Sequence, residues 1–228
     1  MKIGIISDIH SNLYGLISVI TKLQSCDLIL CAGDITGYYT FINEIFDILE
    51  DNNIIFIRGN HDEYLLQNSS DRLNMILKKS VEYTKKKITK NNLFKIQKAP
   101  IFLNKELNGI KIKMYHGSPW NFLEGYIYPD YKQFEKFRDL DADLIILGHT
   151  HVPFINYVDE KIIFNPGSSG QPRDKDNRAS YGVFQTENKS LEIKRTEYDI
   201  NKVIQAAKTD GIDSQIIQML VSAHDKGR

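Results

Sequence analysis

The chain opens on Lys2-Ile3-Gly4-Ile5-Ile6-Ser7, a short apolar run of strand type that ends at Asp8. From Leu13 to Leu23 the apolar period becomes helical, with Leu13, Leu16, Ile17, Ile20 and Leu23 on one face. The pattern then repeats: Asp27 to Ala32 is a strand before Gly33-Asp34, Phe41 to Leu49 a helix, and Asn53 to Ile57 a strand before Arg58-Gly59-Asn60-His61-Asp62. Strands that alternate with helices are joined by crossovers, which is how a largely parallel α/β sheet is written.

Beyond Glu63 the pattern is helical and polar to about Lys98, with eight lysines against the single Glu82 between Lys78 and Lys98. Such a run is either a solvated helix face or a cationic rim that steers an anionic substrate. Ile101 to Tyr115 predicts a hairpin turning at Asn108-Gly109 and ending at His116-Gly117. Trp120 to Asp139 is aromatic-rich without a clean period, as expected of a loop and helix passing over the surface. Leu144 to Leu147 is a further buried strand that ends in Gly148-His149-Thr150-His151. Phe154 to Val158, Lys161 to Phe164, Tyr181 to Thr186 and Leu191 to Glu197 suggest an antiparallel second sheet, and Asn201 to Ala223 closes as helices. No repeat or Pro/Gly-rich linker divides the chain. We therefore expect one α/β domain over residues 1–228, with two packed sheets and helices on their outer faces. A helical excursion at about 63–98 and a C-terminal helical segment at about 201–223 complete it.

Twenty-nine basic residues balance 29 acidic ones, so no overall field draws the protein to nucleic acid or to an anionic membrane. No stretch approaches the length of a membrane span, and no basic segment precedes an apolar signal core, so a cytoplasmic location is expected. Cys26 and Cys31 lack ligand-like neighbours at zinc spacing and read as reduced structural thiols.

The chemistry is in where the polar residues fall. Asp8 and His10, Asp34, Asn60 and His61, His116, and His149 and His151 each stand just after an apolar strand-like run. In open α/β sheets ligands bind at the carboxyl ends of strands, where loops bring side chains from several strands to one point. Any one such histidine is most simply a hydrogen-bonded structural residue, but the set is harder to explain that way. Carboxylate, imidazole and carboxamide oxygen together suit manganese, iron, zinc or nickel, and the lack of Cys argues against a structural zinc site.

In order, Asp8-Ile9-His10, Gly33-Asp34, Gly59-Asn60-His61-Asp62, His116-Gly117 and Gly148-His149-Thr150-His151 resemble the motifs of the calcineurin-like metallophosphoesterase superfamily. Asn165-Pro166-Gly167-Ser168 and Gln171-Pro172-Arg173-Asp174 extend the resemblance to its small bacterial and archaeal branch of phosphodiesterases and diadenosine-tetraphosphatase-like proteins, over roughly residues 1 to 200. The resemblance implies a four-layer α-β-β-α sandwich of two mixed β-sheets. It implies one metal held by Asp8, His10 and His151, a second held by Asn60, His116 and His149, and Asp34 bridging both. The cofactor is then two divalent ions, manganese in the first place, with iron, nickel or zinc as alternatives. A hydroxide between them would be the nucleophile on a phosphodiester or phosphomonoester, with dinucleoside polyphosphates among the candidates. His61 is left as general acid, because an imidazole titrates near neutrality. Ser7 and Thr150 are candidate supporting donors, and Arg173 and Arg178, with Arg58, are candidates to bind substrate phosphate.

Protein phosphatases of the superfamily extend the second block to Gly-Asp-x-x-Asp-Arg-Gly. Here Gly37 and Tyr38 occupy the Asp and Arg positions, which argues against a protein phosphatase and leaves His61 to be oriented by Asp62 or another carboxylate. A nuclease and a non-catalytic protein-binding scaffold are the other readings. The partner expected here is a small phosphate ester or nucleotide, not nucleic acid or membrane.

Overall fold

The structure, a computed structural model, describes residues 1–67 and 73–218. Strands β1 (Lys2–Ile6), β2 (Leu28–Cys31) and β3 (Ile55–Phe56) are separated by helices α1 (Leu13–Leu23) and α2 (Ile42–Asp51). The first two strands pair in parallel, Ile3 opposite Leu28 and Ile6 opposite Cys31, and β3 joins β2 in the same sense. Asn12 starts α1 by accepting a hydrogen bond from the Gly15 amide, and Leu16, Val19, Ile20 and Leu23 turn to the sheet. Helices α3 (Asn60–Leu66), α4 (Met75–Lys87) and α5 (Lys90–Lys98) make up the helical excursion, which begins three residues earlier than its polarity suggested. Asn60 and His61 therefore lie in the first turn of a helix.

The hairpin forms as β4 (Phe102–Leu107) and β5 (Ile110–Tyr115), and Asn108 and Gly109 both adopt positive φ, 48° and 76°, as its two-residue turn requires. Strands β6 (Leu144–Ile146), β7 (Phe154–Val158), β8 (Lys161–Asn165), β9 (Ala179–Gln185) and β10 (Ser190–Thr196) follow, then α6 (Ile200–Thr209). The expected C-terminal helices continue with a turn over 214–218, and the rest of that expectation, to residue 223, lies outside the described residues.

The strands make two mixed sheets, ordered β10-β9-β1-β2-β3 and β4-β5-β6-β8-β7. This corrects one expectation. The last four strands are not a sheet of their own: β7 and β8 edge the second sheet, while β9 pairs antiparallel with β1 and carries β10 into the first. The crossing is made at Ser168 to Gly170, where the Ser169 amide donates to Ser7 O (2.9 Å) and the Gly170 amide to Asp8 O (3.1 Å). Period-2 patterning shows adjacent strands but not which sheet a pair will join.

Strand alternation explains the layers. Ile3, Ile5, Leu30 and Ala32 of the first sheet meet Ile112, Met114, Leu144, Ile146, Ile162 and Phe164 of the second in a core between the sheets. The opposite residues, Ile6, Ile29 and Cys31, pack under α1 and α2 with Phe46 and Leu49. On the far side Ile145, Leu147 and Ile163 are covered by the aromatic segment around Phe134 and Phe137, whose helix is a short 3-10 turn at Phe134–Asp139. Each fully buried Ile or Leu contributes roughly 1.5–3 kcal/mol. The inter-sheet core thus holds the carboxyl ends of β1 and β2 in register with those of β5 and β6.

Cys26 and Cys31 are both free thiols. The lysine-rich helices are braced by acids, Lys79 on Asp213, Lys87 on Asp210 and Lys95 on Glu50, as a solvated face would be. Among the described residues no helix is long and apolar enough to cross a membrane.

Candidate metal centre

The strand ends turn sharply. Asp8, His10, Asp34, His149 and His151 all have positive φ, between 51° and 68°, a region sparsely used outside glycine, though less so by Asp and His. Such conformations cost of order 1–3 kcal/mol each and persist only where the surroundings impose them. Here the loops are stitched together: the amides of Asp8, His10 and Ser11 donate to the carbonyls of Gly33, Asp34 and Ile35 at 2.9–3.0 Å. The result is a buried cluster, with Asp8, His10 and His116 at zero exposure and Asp34 at 1%. Gly59 is required by close approach, since a Cβ there would strike the Asp34 amide and carboxylate.

Two groups of ligand atoms converge, Asp8, His10, Asp34 and His151 in one and Asp34, His116 and His149 in the other. Asp34 belongs to both through a single oxygen: its Oδ2 is 3.6 Å from His10 Nε2 and 3.4 Å from His116 Nε2. Its Oδ1 accepts the His61 amide at 2.9 Å. Asn60 Oδ1 joins the second group, 2.9 Å from His116 Nε2.

The hydrogen bonds of the imidazoles show what these groups require. His10 Nδ1 donates to Thr36 O (3.1 Å), His151 Nδ1 to Gln171 O (2.6 Å) and His116 Nδ1 to Ala32 O (2.8 Å). Each Nε2 is therefore left as an acceptor in the neutral ring. Yet His10 Nε2 faces His151 Nε2 at 3.1 Å, with Asp8 Oδ1 3.3 Å from the latter. Acceptors gathered this closely repel unless a cation lies among them. The buried Nε2 of His149 has no hydrogen-bond partner among the described residues, which fits the same requirement.

The electrostatics of the buried groups agree. Burial holds His10 well below its ordinary value and His149 at about 3, so both are lone-pair donors at neutral pH. Asp34 stays ionised despite burial because His116 and His61 face it. Burial depresses His116 too, but Asp34 outweighs it and holds the ring up at about 9, a proton standing where a cation could. The residues present fit divalent metal.

His61 lines a cavity of about 650 Å³ beside the cluster, together with Asp34, Asn60, His149, His151 and Arg173. Burial holds its imidazole down at about 4 despite the Asp34 carboxylate. Asp62 does not orient it, contrary to expectation. That carboxylate accepts from the amides of Ile35, Thr36 and Gly59 and from Thr36 Oγ1, at 2.8–3.1 Å, and so ties the Asp34 loop to the start of α3. The His61 ring is instead fixed by packing, its centroid 4.7 Å from both His10 and Tyr38, with Nδ1 turned to the backbone at Gly37. Asp62→Ala would strand three buried backbone donors. We expect a loss of about 2–3 kcal/mol of stability, measured as a fall in the urea midpoint, with Asp62→Asn losing less.

Of the arginines, Arg173 reaches the cavity, held by Gln171 Oε1 at 2.8 Å. Arg178 is about half exposed and pairs with Asp176, and Arg58 pairs with Glu63; neither lines the cavity. Thr150 Oγ1 accepts from Asn165 Nδ2 at 3.1 Å and supports the His149–His151 turn, whereas Ser7 Oγ has no partner among the described residues. The Asn165 and Gln171 blocks thus act by holding ligand loops. Sequence reasoning noted Tyr38 only as a departure at the arginine position and missed Tyr64, Glu124, Tyr126 and the start of α4; all five help to complete the cavity wall. The aromatic bias of the segment after Trp120 was the one visible trace of Tyr126.

Two mixed sheets with buried Asp and His groups at strand ends define a layered α/β fold of the metallophosphoesterase kind. The model of the calcineurin-like phosphoesterase superfamily domain matches residues 1–189, and the chain belongs to that superfamily. An uncharacterized protein of Methanocaldococcus jannaschii is 37% identical over 223 residues, 88% of this chain and 89% of that protein. A probable metallophosphoesterase of the same organism is 28% identical over 182 residues, 76% of this chain and 70% of its own length. The crystal structure of a metallophosphoesterase from Sphaerobacter thermophilus matches with a TM-score of 0.85 at 27% identity, over 98% of this chain and 100% of that one.

Proposed function

We propose that this protein is a metal-dependent phosphoesterase that hydrolyses small phosphodiesters, using two divalent cations with manganese foremost. The observation that carries the reading is the shared Asp34 Oδ2, which faces both groups of buried acceptors beside a cavity containing Arg173 and His61. Asp8, His10 and His151 would hold one ion and Asn60, His116 and His149 the other, with Asp34 common to them. Cations bound there would supply charge stabilisation of the phosphoryl oxygens and would acidify water at neutral pH.

The chain's own residues do the rest. Arg173 places a guanidinium at the cavity, where it binds phosphate oxygens and orients the ester. His61 stands next to Asn60 without belonging to either ligand group, and its role is to give a proton to the departing oxygen. A phosphate anion against its ring favours the protonated form and offsets the effect of burial. Tyr38, at the position where protein phosphatases carry arginine, is 7% exposed and packs on His10, so no guanidinium enters the cavity from that position.

The test is metal removal. Hydrolysis of bis(p-nitrophenyl) phosphate by the purified protein falls to background after exhaustive chelation and returns with manganese, in step with metal content measured by mass spectrometry. Full turnover in metal-free protein would refute the proposal.

A further inference from the structure

We propose that Tyr126, backed by Tyr128, is a stacking platform for the base of a nucleoside phosphate ester, which makes nucleotides the substrate class of this site. The inference rests on the phosphoesterase reading and extends it from the phosphate to the group attached. Tyr126 lines the same cavity as Asp34, His61 and Arg173, and its ring lies 4.2 Å from that of His149. The ring of Tyr128 lies nearly parallel to it, at 7° with centroids 6.1 Å apart. Both rings stay open to solvent, 57% and 43% exposed, although each has apolar surface that folding usually covers.

The segment leading to the platform is tightly built. The turn before it is closed by the Gly117 amide donating to Phe122 O (2.7 Å) and the Ser118 amide to Asn121 O (2.8 Å), and the Gly125 amide donates to Asn121 O (3.2 Å). Gly125, just before Tyr126, is packed so tightly that a Cβ would lie 2.7 Å from Ser118 Cβ. A preformed ring costs little ordering entropy when a flat group lands on it. Met75, Ile76 and Leu77 add an apolar lining, and Asn74, Asn121 and Glu124 add donors and acceptors for the edge of a base. A cavity of about 650 Å³ has room for a nucleoside beside the phosphate position. A simple alkyl ester would leave this wall unused.

Calorimetric titration of the manganese-loaded full chain with AMP and with ribose 5-phosphate tests the proposal, because the two ligands share a phosphate and differ by the base. Stacking on an aromatic side chain makes AMP the tighter ligand by about 5- to 100-fold. In Tyr126→Ala the preference collapses to within about 2-fold, and in Tyr126→Phe it is kept, since the ring and not the hydroxyl does the stacking. Equal affinity in the wild type, or a preference that survives Tyr126→Ala, would overturn it. So would parallel weakening of both ligands with loss of bound manganese, which would mean that Tyr126 acts only through His149. If AMP is preferred in this way yet no ester is hydrolysed, the phosphoesterase reading fails and the platform stands.

Discussion

Asp34→Asn lowers phosphodiester hydrolysis by on the order of 10³-fold or more, and weakens binding of both metals. Removal of a mere outer partner of a ligand already costs about 10–100-fold, and on the proposed reading Asp34 serves two ions at once. The substitution is nearly isosteric. Its remaining oxygen can still accept the His61 amide, as Oδ1 does at 2.9 Å. The shared point then receives an NH₂ group, a donor where His10 and His116 call for a cation-binding oxygen. Metal content by mass spectrometry and turnover at saturating manganese check the expectation, and a thermal melt confirms that the variant folds. A variant with two tightly held metals and normal turnover would remove Asp34 from its bridging role.

His61→Ala slows hydrolysis of an alkyl phosphodiester by roughly 10²–10⁴-fold, the usual range for general acid catalysis. An alkoxide is a poor leaving group and needs the proton, whereas p-nitrophenolate departs without much help, so the aryl ester loses less. The structure makes the comparison clean, because the imidazole belongs to neither group of ligand atoms. Metal content is accordingly retained. An equal loss on both esters, accompanied by loss of metal, would instead make His61 a ligand or a structural residue. Among the described residues nothing hydrogen-bonds its Nδ1, and the ring is held by packing against His10 and Tyr38. Tyr38 is itself held at positive φ, 57°, by its amide donating to Ser80 Oγ at 2.9 Å.

Much of this site was visible in the order of residues. Local periodicity shows where a strand or helix begins and which face it buries, so Ile3 and Ile5, Leu30, and Leu144 and Ile146 announce buried strands. The polar residues that follow them then fall at strand ends. That much requires no tertiary information, since backbone pleat and helical pitch are properties of the segment itself. The residue types at those ends, oxygen and imidazole donors without thiolate, likewise indicate the ligand chemistry directly.

The three-dimensional arrangement decided the rest. Sequence could not assign β9 and β10 to the first sheet, because pairing across the Ser168–Gly170 crossing depends on contacts with Ser7 and Asp8, over 150 positions away. It left His61 to be oriented by Asp62 or another carboxylate, but the folded chain uses Asp62 for three amides and a hydroxyl of two neighbouring loops. It offered Arg173 and Arg178 alike, and only the folded loop turns the first to the cavity and the second to Asp176. The aromatic wall at Tyr126 followed no period, because its residues are spaced by turns and not by a helix or strand. Ligand type is a property of side chains and is carried by the sequence. Which oxygen of Asp34 faces both groups, and which ring lines the cavity, are set by distances between segments, and only packing fixes those.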